Sequence, residues 1–438
     1  MRLMSRAQTC QQADSFSAAK RGRGSGERWS LWRGRSLCSP IRLRVSRLAA
    51  LICILNLSVL ADSAQDDAKL AAANTDFAFD LFGQIAREQP SANIFISPFS
   101  VSMVLQMIDK GAGGATKQEM DRVLHTDGWP TDTVKAACES LNQSLKSQTN
   151  VILESANAIW YQLGIPLKPG FVSETSEFYG AKLGVVNFGS PNSAKVINHW
   201  ADQNTHGKIQ DIVRWPFEPA TRVVLANAIY FKGKWERPFD RQETRPHTFH
   251  PAGGGEKEVP TMWRRGHFAY QRGDGFQAVQ LPYAGGRLCM EVYLPDADSS
   301  LARLLARFNR APERSKMLKG FLEREGTLAL PRFKLEYDIR LNEPLQALGI
   351  KRAFHGGDFS AMSAESLEVS EIKQKSYIEV NEEGTEAAAV TVGRMQATAV
   401  LRPQKPFEMI VDRPFFFVIE DNQTQSILFM GVVCDPAK

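Results

Sequence analysis

The sequence has few of the features that would tie it to catalysis or to metal binding. It contains six cysteines in 438 residues, and the three beyond the N-terminal region, Cys138, Cys289 and Cys434, are far apart and odd in number. This pattern supports neither a disulfide framework nor a metal-ligand spacing. The patterns HExxH, GxSxG, CxxC and GxxxxGK are all absent. We therefore expect no enzyme activity, no metal and no cofactor.

The sequence also lacks a long apolar run of the kind that spans a membrane. The run Leu48–Ala61 has 14 residues and follows Arg42, Arg44 and Arg47, whereas a spanning helix needs roughly twenty. A basic flank before a short apolar core is typical of a secretory signal, so we expect residues 1–64 to be a presequence outside the fold. A single membrane anchor is the alternative. We expect a protein secreted to the periplasm or outside the cell, with no stable membrane insertion.

An excess of positive charge is absent beyond the N-terminal region. The whole chain carries +5, and residues 1–47 alone carry +9, with eleven Lys and Arg against Asp14 and Glu27. Because the run 48–61 is uncharged, residues 62–438 carry −4. A mildly acidic folded region gives no support for nucleic-acid binding.

From about Gln65 onwards the hydrophobic pattern is continuous, and no linker interrupts it. The pattern predicts helices over the stripe Phe77–Ile85, from Ser100 as N-cap to about Lys110, and over 301–322. It predicts a buried strand over Val151–Tyr161. It predicts further strands over Val223–Phe231, several runs within Val259–Leu294, Thr327–Leu335 and Glu368–Val380, and a hairpin over Pro414–Val433. Val223–Phe231 is too apolar for an edge strand and is expected at the centre of a sheet. We expect residues 65–438 to form one α+β domain, with large, mainly antiparallel sheets and helices outside them.

The segment 382–402 is unusually rich in small residues. Gly384 permits a turn or hinge after the strand that ends near Val380. If the residues that follow are extended, the side chains alternate between two faces. One face carries Thr385, Ala387, Ala389, Thr391 and Gly393, and the other carries Glu386, Ala388, Val390, Val392 and Arg394. The first face has no bulky residue, so this strand could enter an existing sheet without overpacking, which costs roughly 1–3 kcal/mol per site. An Ala-rich loop or a helix fits the composition equally well.

Four motifs in this sequence resemble those of the serpin family. Residues 379–389, EVNEEGTEAAA, are similar to the serpin hinge. The other three are Asn93–Thr116, with a Ser-Pro-x-Ser turn and a glycine-rich helix end, Asn227–Phe239, and Asp412–Gly431. They occur in the family's order and span about residues 72–436. The resemblance implies the serpin fold, in which large sheets are surrounded by about eight or nine helices and a reactive-centre loop is exposed.

The resemblance also implies a mechanism and a set of site residues. A serine or cysteine endopeptidase would cut the loop 382–402 and form an acyl-enzyme, and insertion of the cut loop into the main sheet would trap it. The implied hinge residues are Glu382, Glu383, Gly384, Thr385, Glu386, Ala387, Ala388 and Ala389. The implied sheet-opening (shutter) residues are Ser97, Ser100, Asn227 and Gln374. Many serpins have a His where this sequence has Gln374.

The resemblance locates the scissile bond by counting. The seventeenth residue from Glu382 is Thr398, and the spacing before Pro414 in plant-like members leads to the same residue. The predicted reactive bond is therefore Thr398–Ala399, with Arg394 and Arg402 as alternatives. Small neighbours favour an elastase-like or subtilisin-like protease. We expect a monomer. A non-inhibitory serpin that acts as a carrier, storage protein or chaperone is the alternative function, and bulky residues at 387, 389 or 391 would have favoured it.

Overall fold

The computed structural model describes residues 40–146, 151–179, 181–385 and 405–437. The chain divides into two units, residues 1–57 and 58–438. Everything below concerns the second unit, apart from the helix that begins at Pro40. Within the described ranges, no helix is both long enough and apolar enough to cross a membrane.

The described part of the chain contains nine α-helices and fifteen strands. The helices are α1 Pro40–Glu88, α2 Pro98–Asp109, α3 Gly114–Val123, α4 Thr131–Lys146, α5 Pro169–Tyr179, α6 Asn192–Asn204, α7 Leu301–Phe308, α8 Ala311–Lys319 and α9 Asn342–Leu348. The strands are β1 Ile94–Ile96, β2 Val151–Gln162, β3 Lys182–Val186, β4 Val223–Lys234, β5 Arg245–Phe249, β6 Lys257–Gly273, β7 Phe276–Pro282, β8 Leu288–Pro295, β9 Leu322–Pro331, β10 Phe333–Arg340, β11 Glu371–Asn381, β12 Gly384–Thr385, β13 Phe407–Ile410, β14 Phe415–Asp421 and β15 Ser426–Val433.

The strands form two sheets. The nine-stranded sheet has the order β1-β15-β14-β8-β7-β6-β9-β13, and β5 pairs with β6. The six-stranded sheet has the order β10-β11-β12-β4-β2-β3, with an additional pairing between β11 and β4. The predicted antiparallel runs correspond to β6, β7 and β8, and the predicted hairpin corresponds to β14 and β15.

Strand β4 lies at the centre of the six-stranded sheet, as its apolar sequence predicts. It pairs antiparallel with β2 on one side and parallel with β11 on the other. One face of β4 joins the main core, and the other face, which includes Ala226 and Ala228, joins a second core that contains Ile197 of α6. The small alanines let α6 lie close to this face of the sheet.

Aromatic side chains dominate the main core near α1. The Phe79 ring stacks on Phe308 at a centroid distance of 5.2 Å, and Phe82 contacts Phe416 at 5.3 Å. All four are essentially inaccessible to solvent, and burial of each contributes about 1.5–3 kcal/mol. The helical stripe Phe77–Ile85 is therefore part of α1, as predicted.

Three local predictions were wrong. Ser97, not Ser100, is the N-cap of α2: its hydroxyl accepts from the backbone N–H of Ser100, and Pro98 supplies the fixed φ of the first helical position. The range 301–322 contains two helices instead of one, because Pro312 lies in the first turn of α8 and cannot continue α7. The continuously buried run of β2 is limited to residues 158–160, and it begins where β3 starts to pair with β2, at Ala158.

Candidate functional site: the loop hinge and the sheet-opening region

The predicted hinge begins inside the six-stranded sheet. After β11 the chain turns at Glu382–Glu383 and returns as the short strand β12, Gly384–Thr385. Thr385 pairs with Val380 of β11 and also with Gly233 of β4. Further down, Tyr377 of β11 pairs directly with β4. The upper ends of β11 and β4 are therefore separated, and two residues of the hinge fill the gap.

Gly384 is required by the close approach of the backbones. Its φ is +142°, and a Cβ at this position would lie 2.1 Å from the carbonyl oxygen of Gly233 and 2.7 Å from Cα of Lys234. Since both contacts are with backbone atoms, a side chain could be accepted only by moving β12 away from β4.

The Thr385 side chain points into the core. The residue is 0% exposed, and its hydroxyl shares a hydrogen bond of 3.0 Å with the hydroxyl of Tyr283. Tyr283 is itself fully buried, and burial raises its pKa well above the ordinary value. Thr385 thus lies on the face that the alternation predicts to be inward.

Two ion pairs anchor the turn. The buried Glu382 carboxylate accepts from Arg332, whose Nε lies 2.7 Å away, and from the hydroxyl of Thr244. Burial alone would raise the pKa of Glu382, but hydrogen bonds from Arg332 and Thr244 outweigh it and hold the pKa below its ordinary value. The more exposed pair is formed by Glu383 and Arg241.

Backbone hydrogen bonds connect the turn to the segment that follows β4. The Trp235 N–H donates to the Glu383 carbonyl at 3.0 Å, and the Phe239 N–H donates to the Glu382 carbonyl at 2.8 Å. The Trp235 indole donates to the Asn381 carbonyl at 3.0 Å and stacks on Tyr283 at 4.7 Å. The segment 235–239 therefore holds the hinge from one side.

The predicted sheet-opening residues lie together beneath the same sheet. Gln374 of β11 pairs in register with Asn227 of β4, and Asn227 pairs in register with Asn157 of β2. The Gln374 amide donates to Oδ1 of Asn227 at 2.6 Å, and the Asn227 amide donates to Oδ1 of Asn157 at 2.5 Å. The three side chains form one polar row across three strands, and the bond from Gln374 to Asn227 crosses the boundary between β11 and β4.

Ser97 and Ser100 connect this row to α2. Gln374 accepts from the Ser97 N–H at 3.0 Å and donates to the Ser97 carbonyl at 3.1 Å. Asn227 donates to the Ser100 hydroxyl at 2.5 Å. Gln374 is 0% exposed, so each of these groups depends on a protein partner. Gln374 both donates and accepts here, as an amide, imidazole or hydroxyl side chain can do.

The prediction missed Asn157 and Ser155, whose hydroxyl lies 2.7 Å from that of Ser100. A signal was present in the sequence. The tetrapeptide Ala-Asn-Ala-Ile occurs at 156–159 and again at 226–229, so each of two apolar strands carries one Asn at the same relative position. A polar residue repeated in two buried strands indicates a shared hydrogen-bonded row.

The remaining predicted site residues lie outside the described part of the chain. They are the hinge residues Glu386, Ala387, Ala388 and Ala389, the reactive bond Thr398–Ala399, and the alternatives Arg394 and Arg402. Within the described residues, no cluster of His, Cys, Asp and Glu could hold a metal ion.

Comparison with known proteins identifies the family. A family model described as Serpin (serine protease inhibitor) matches residues 72–436. The leukocyte elastase inhibitor of Sus scrofa is 36% identical over 387 residues, which cover 84% of this chain and 100% of that protein. An uncharacterized serpin-like protein of Thermococcus kodakarensis is 38% identical over 369 residues, covering 83% of this chain and 85% of that protein. The crystal structure of Serpin48, a highly specific serpin of the insect Tenebrio molitor, matches with a TM-score of 0.75 and 31% identity, covering 84% of this chain and 98% of that one. The chain therefore belongs to the serpin family of serine protease inhibitors and has the serpin fold.

Proposed function

We propose that this protein inhibits a serine endopeptidase by cleavage and insertion of its loop 382–402. The observation that supports this most directly is the position of β12 between β11 and β4, paired with both. Because β11 and β4 run parallel to each other, a strand between them is antiparallel to both and can satisfy its backbone groups on each side. Further insertion would extend β12 downwards by the same pairing.

The observed register predicts the contacts of the inserted strand. Thr385 lies opposite Gly233 and Val380, and each further residue of the loop moves one position back along both neighbours. Six positions on, Thr391 comes opposite Asn227 and Gln374. In the intact protein these two side chains are joined by the 2.6 Å hydrogen bond. The Thr391 hydroxyl can both donate and accept, so it can replace the bond that insertion must break.

The alternation of faces is consistent with this register. Thr385 is buried on the core face, and Asn227 and Gln374 are also core-facing residues. Ala387, Ala389, Thr391 and Gly393 would share that face. The opposite face would meet the small side chains of the second core, which include Ala226 and Ala228. No bulky loop residue would have to enter the main core.

In the proposed mechanism the protease cleaves the loop as it would cleave a substrate, but the covalent acyl-enzyme is trapped before it is hydrolysed. The protease nucleophile would attack the carbonyl carbon of Thr398, the amine of Ala399 would leave, and an ester would join the enzyme to Thr398. Thirteen residue steps separate Thr385 from Thr398, or about 43 Å at roughly 3.3 Å per residue. Insertion would carry the acyl-enzyme over that distance before hydrolysis. Thr398 and its small neighbours suit a narrow primary pocket, so we infer an elastase-like or subtilisin-like target.

Trapping is tested with the full mature protein. It is incubated separately with pancreatic elastase, subtilisin and trypsin, and the products are separated on denaturing gels and by mass spectrometry. We expect a denaturant-stable complex with elastase or subtilisin and a released peptide that begins at Ala399. Cleavage without a complex, across proteases of both specificities, would contradict the proposal.

Matched variants test the scissile bond. Thr398→Arg should transfer complex formation from elastase to trypsin, because the primary pocket of the protease reads this side chain. Arg394→Gln and Arg402→Gln should leave the elastase complex unchanged. A trypsin complex in the unmodified protein that disappears in Arg402→Gln or Arg394→Gln would instead identify that arginine as the reactive residue.

Secretion is the second part of the proposal. It is supported by the short apolar run Leu48–Ala61 and its basic flank. The full chain is expressed in a secreting host, and the N-terminus of the protein is sequenced in the medium, the periplasm and the cell lysate. We expect secreted protein cleaved close to Ala61 or Ala64. Protein that remains in the lysate with an intact N-terminus would contradict this part alone.

A further inference from the structure

A second site lies beside the hinge, where an arginine occupies a core-facing position of β6. Met262, Phe268 and Tyr270 share the face of Arg264 on this strand and are buried. Their neighbours Arg265 and His267, on the opposite face, are exposed. A guanidinium on the apolar side of a strand normally has a carboxylate partner.

Arg264 has no such partner in the part of the chain that the structure describes. Its guanidinium lies over the rings of Phe239 and Phe268, at 4.7 and 4.5 Å from their centroids, and donates to the backbone carbonyl of Arg237. No carboxylate of the described residues is within ion-pairing distance of it. Burial, together with the nearby positive charge of Arg237, lowers the pKa of Arg264 to about 10. A carboxylate partner would have had the opposite effect.

Arg264 lines a small cavity. The cavity has a volume of about 110 Å³, and its lining includes the two guanidinium groups of Arg237 and Arg264. Glu236 and Glu323 lie at the same cavity but are exposed. Since a water molecule occupies about 30 Å³ in the liquid, the cavity can hold a few waters or one small anion, but not a sugar or a nucleotide.

We propose that this cavity binds a small free oxyanion, such as phosphate, sulfate or a carboxylate, between Arg264 and Arg237. A guanidinium matches the oxygen spacing of these ions and binds them through paired, charge-assisted hydrogen bonds. The rings of Phe239 and Phe268 lie against the guanidinium and reduce its contact with water, which strengthens those bonds. The anion would supply the ion-pair partner that the described residues do not provide for Arg264.

The cavity lies beside the segment that holds the hinge, so anion binding in the cavity should affect the hinge. Trp235 and Arg237 line the cavity, and Phe239 stacks on Arg264. The same segment donates the two backbone hydrogen bonds that hold Glu382 and Glu383. An anion bound to both arginines therefore stabilises the segment that anchors the closed hinge. This inference does not depend on the protease target, because it concerns the intact protein.

The test is thermal unfolding of the full intact chain in increasing phosphate, with sodium chloride as the reference at matched ionic strength. We expect a saturable rise in the unfolding midpoint of at least about 2 °C in phosphate but not in chloride, because a ligand that binds only the folded state stabilises it. Sulfate and acetate arms show whether the site prefers tetrahedral or planar oxyanions. An identical midpoint in all four salts overturns the proposal.

Three variants assign the effect to the cavity. Arg264→Gln should weaken phosphate binding about tenfold or more, because charge-assisted hydrogen bonds are lost. Arg237→Gln, at an exposed position that folding tolerates, should weaken it severalfold. Arg265→Gln removes an exposed neighbour that pairs with Glu325 at 3.3 Å, and it should leave phosphate binding unchanged. An unaltered response in Arg237→Gln, or a lost response in Arg265→Gln, overturns the assignment even if Arg264→Gln does not fold.

Discussion

The hydroxyls of Tyr283 and Thr385 lie 3.0 Å apart in the fully buried space beneath the top of the six-stranded sheet. Tyr283 belongs to the turn between β7 and β8, and Thr385 is the last residue of the described range 181–385. The contact shows that the first residue of the predicted inward face already occupies the core of the intact protein. It also makes Thr385 the position at which insertion can be most directly perturbed.

Replacing Thr385 with Arg should convert the inhibitor into a substrate. In the intact variant the bulky cation should leave this fully buried site and displace β12. Insertion would then have to bury it again, against overpacking of roughly 1–3 kcal/mol and a desolvation cost, so insertion should slow by at least about tenfold. The measurement is the number of inhibitor molecules consumed for each protease molecule trapped, with elastase. Thr385→Val keeps the volume but removes the hydroxyl, and it should still trap the protease. If Thr385→Arg and the unmodified protein consumed the same number of inhibitor molecules per trapped protease, insertion would not require residue 385 to be buried in the sheet.

Replacing Gln374 with Leu should destabilise the intact protein by at least about 2 kcal/mol. The change leaves the Ser97 N–H and the side-chain carbonyl of Asn227 without partners in a dry site, at about 1–3 kcal/mol for each unsatisfied group. The Ser97 carbonyl keeps its hydrogen bond from the Val101 N–H at 3.1 Å. Guanidinium-induced unfolding measures the loss. Gln374→His should lose less, because imidazole can also donate and accept. The exposed Gln242→Leu is the control, and an equal loss in both variants would contradict a specific role for the polar row.

The register of insertion can be tested at its lower end. Nine positions beyond Thr385, Arg394 comes opposite Val224 and Glu371, where β11 begins. Burial raises the pKa of Glu371, although the nearby positive charges of Lys373 and Arg340 oppose this. We expect Glu371→Gln and Arg394→Gln to show a coupling free energy of about 0.5–1 kcal/mol in the loop-cleaved protein and none in the intact protein.

Thermal or denaturant unfolding of all four combinations gives that coupling. A control set of four proteins combines Arg394→Gln with Glu336→Gln, on the edge strand β10, instead of with Glu371→Gln. Coupling in the intact protein, or coupling of Arg394 to Glu336, would contradict the predicted register. An absence of coupling in cleaved protein that still melts far higher than intact protein would indicate insertion in another register.

A buried pair of carboxyl groups predicts how stability depends on pH. Glu291 is 0% exposed, accepts from the Gln280 amide at 2.7 Å and from the Tyr293 hydroxyl at 2.5 Å, and lies near Glu420 of the adjacent strand. Burial, reinforced by the negative charge of Glu420, raises the pKa of Glu291 to about 8 and outweighs the lowering effect of these hydrogen bonds. Burial also raises the pKa of Glu420, to about 7, although Lys319 opposes this.

The direction in which stability changes with pH follows from proton linkage. Between the ordinary carboxyl pKa and about 8, the folded protein binds more protons than the unfolded chain, so the free energy of unfolding should fall as pH rises. Each carboxyl contributes up to about 1.4 kcal/mol per pH unit. Denaturant unfolding from pH 5 to pH 9 measures this slope. Glu291→Gln should remove much of it, and the exposed Glu408→Gln should not. A stability that is constant or rising through pH 8 would contradict the prediction.

Local patterns in the sequence predicted the elements of this fold better than their boundaries. The apolar run of β4 predicted a central strand, because a strand covered on both faces by helices and core has no need of alternation. The cap of α2 was assigned to Ser100 instead of Ser97, since both serines precede an apolar helix and only the position of Pro98 in the first turn decides between them. Strand β2 was predicted to be fully buried, but the absence of a β3 partner over its first half leaves part of it accessible among the described residues.

The sequence by itself determined the family, the hinge motif and the small-residue face that begins at Thr385, because these depend on residue order and on the two-residue period of a strand. Only the tertiary structure decided that Gly384 and Thr385 already pair between β11 and β4, that Asn157 extends the row from Gln374 to Asn227, and that Arg264 lines a cavity without an ion-pair partner among the described residues. The physical reason is distance along the chain. Gln374 and Asn227 are 147 residues apart in the chain. Whether such distant residues form a hydrogen bond, or a charged residue is left without a partner, is decided only when the sheets assemble.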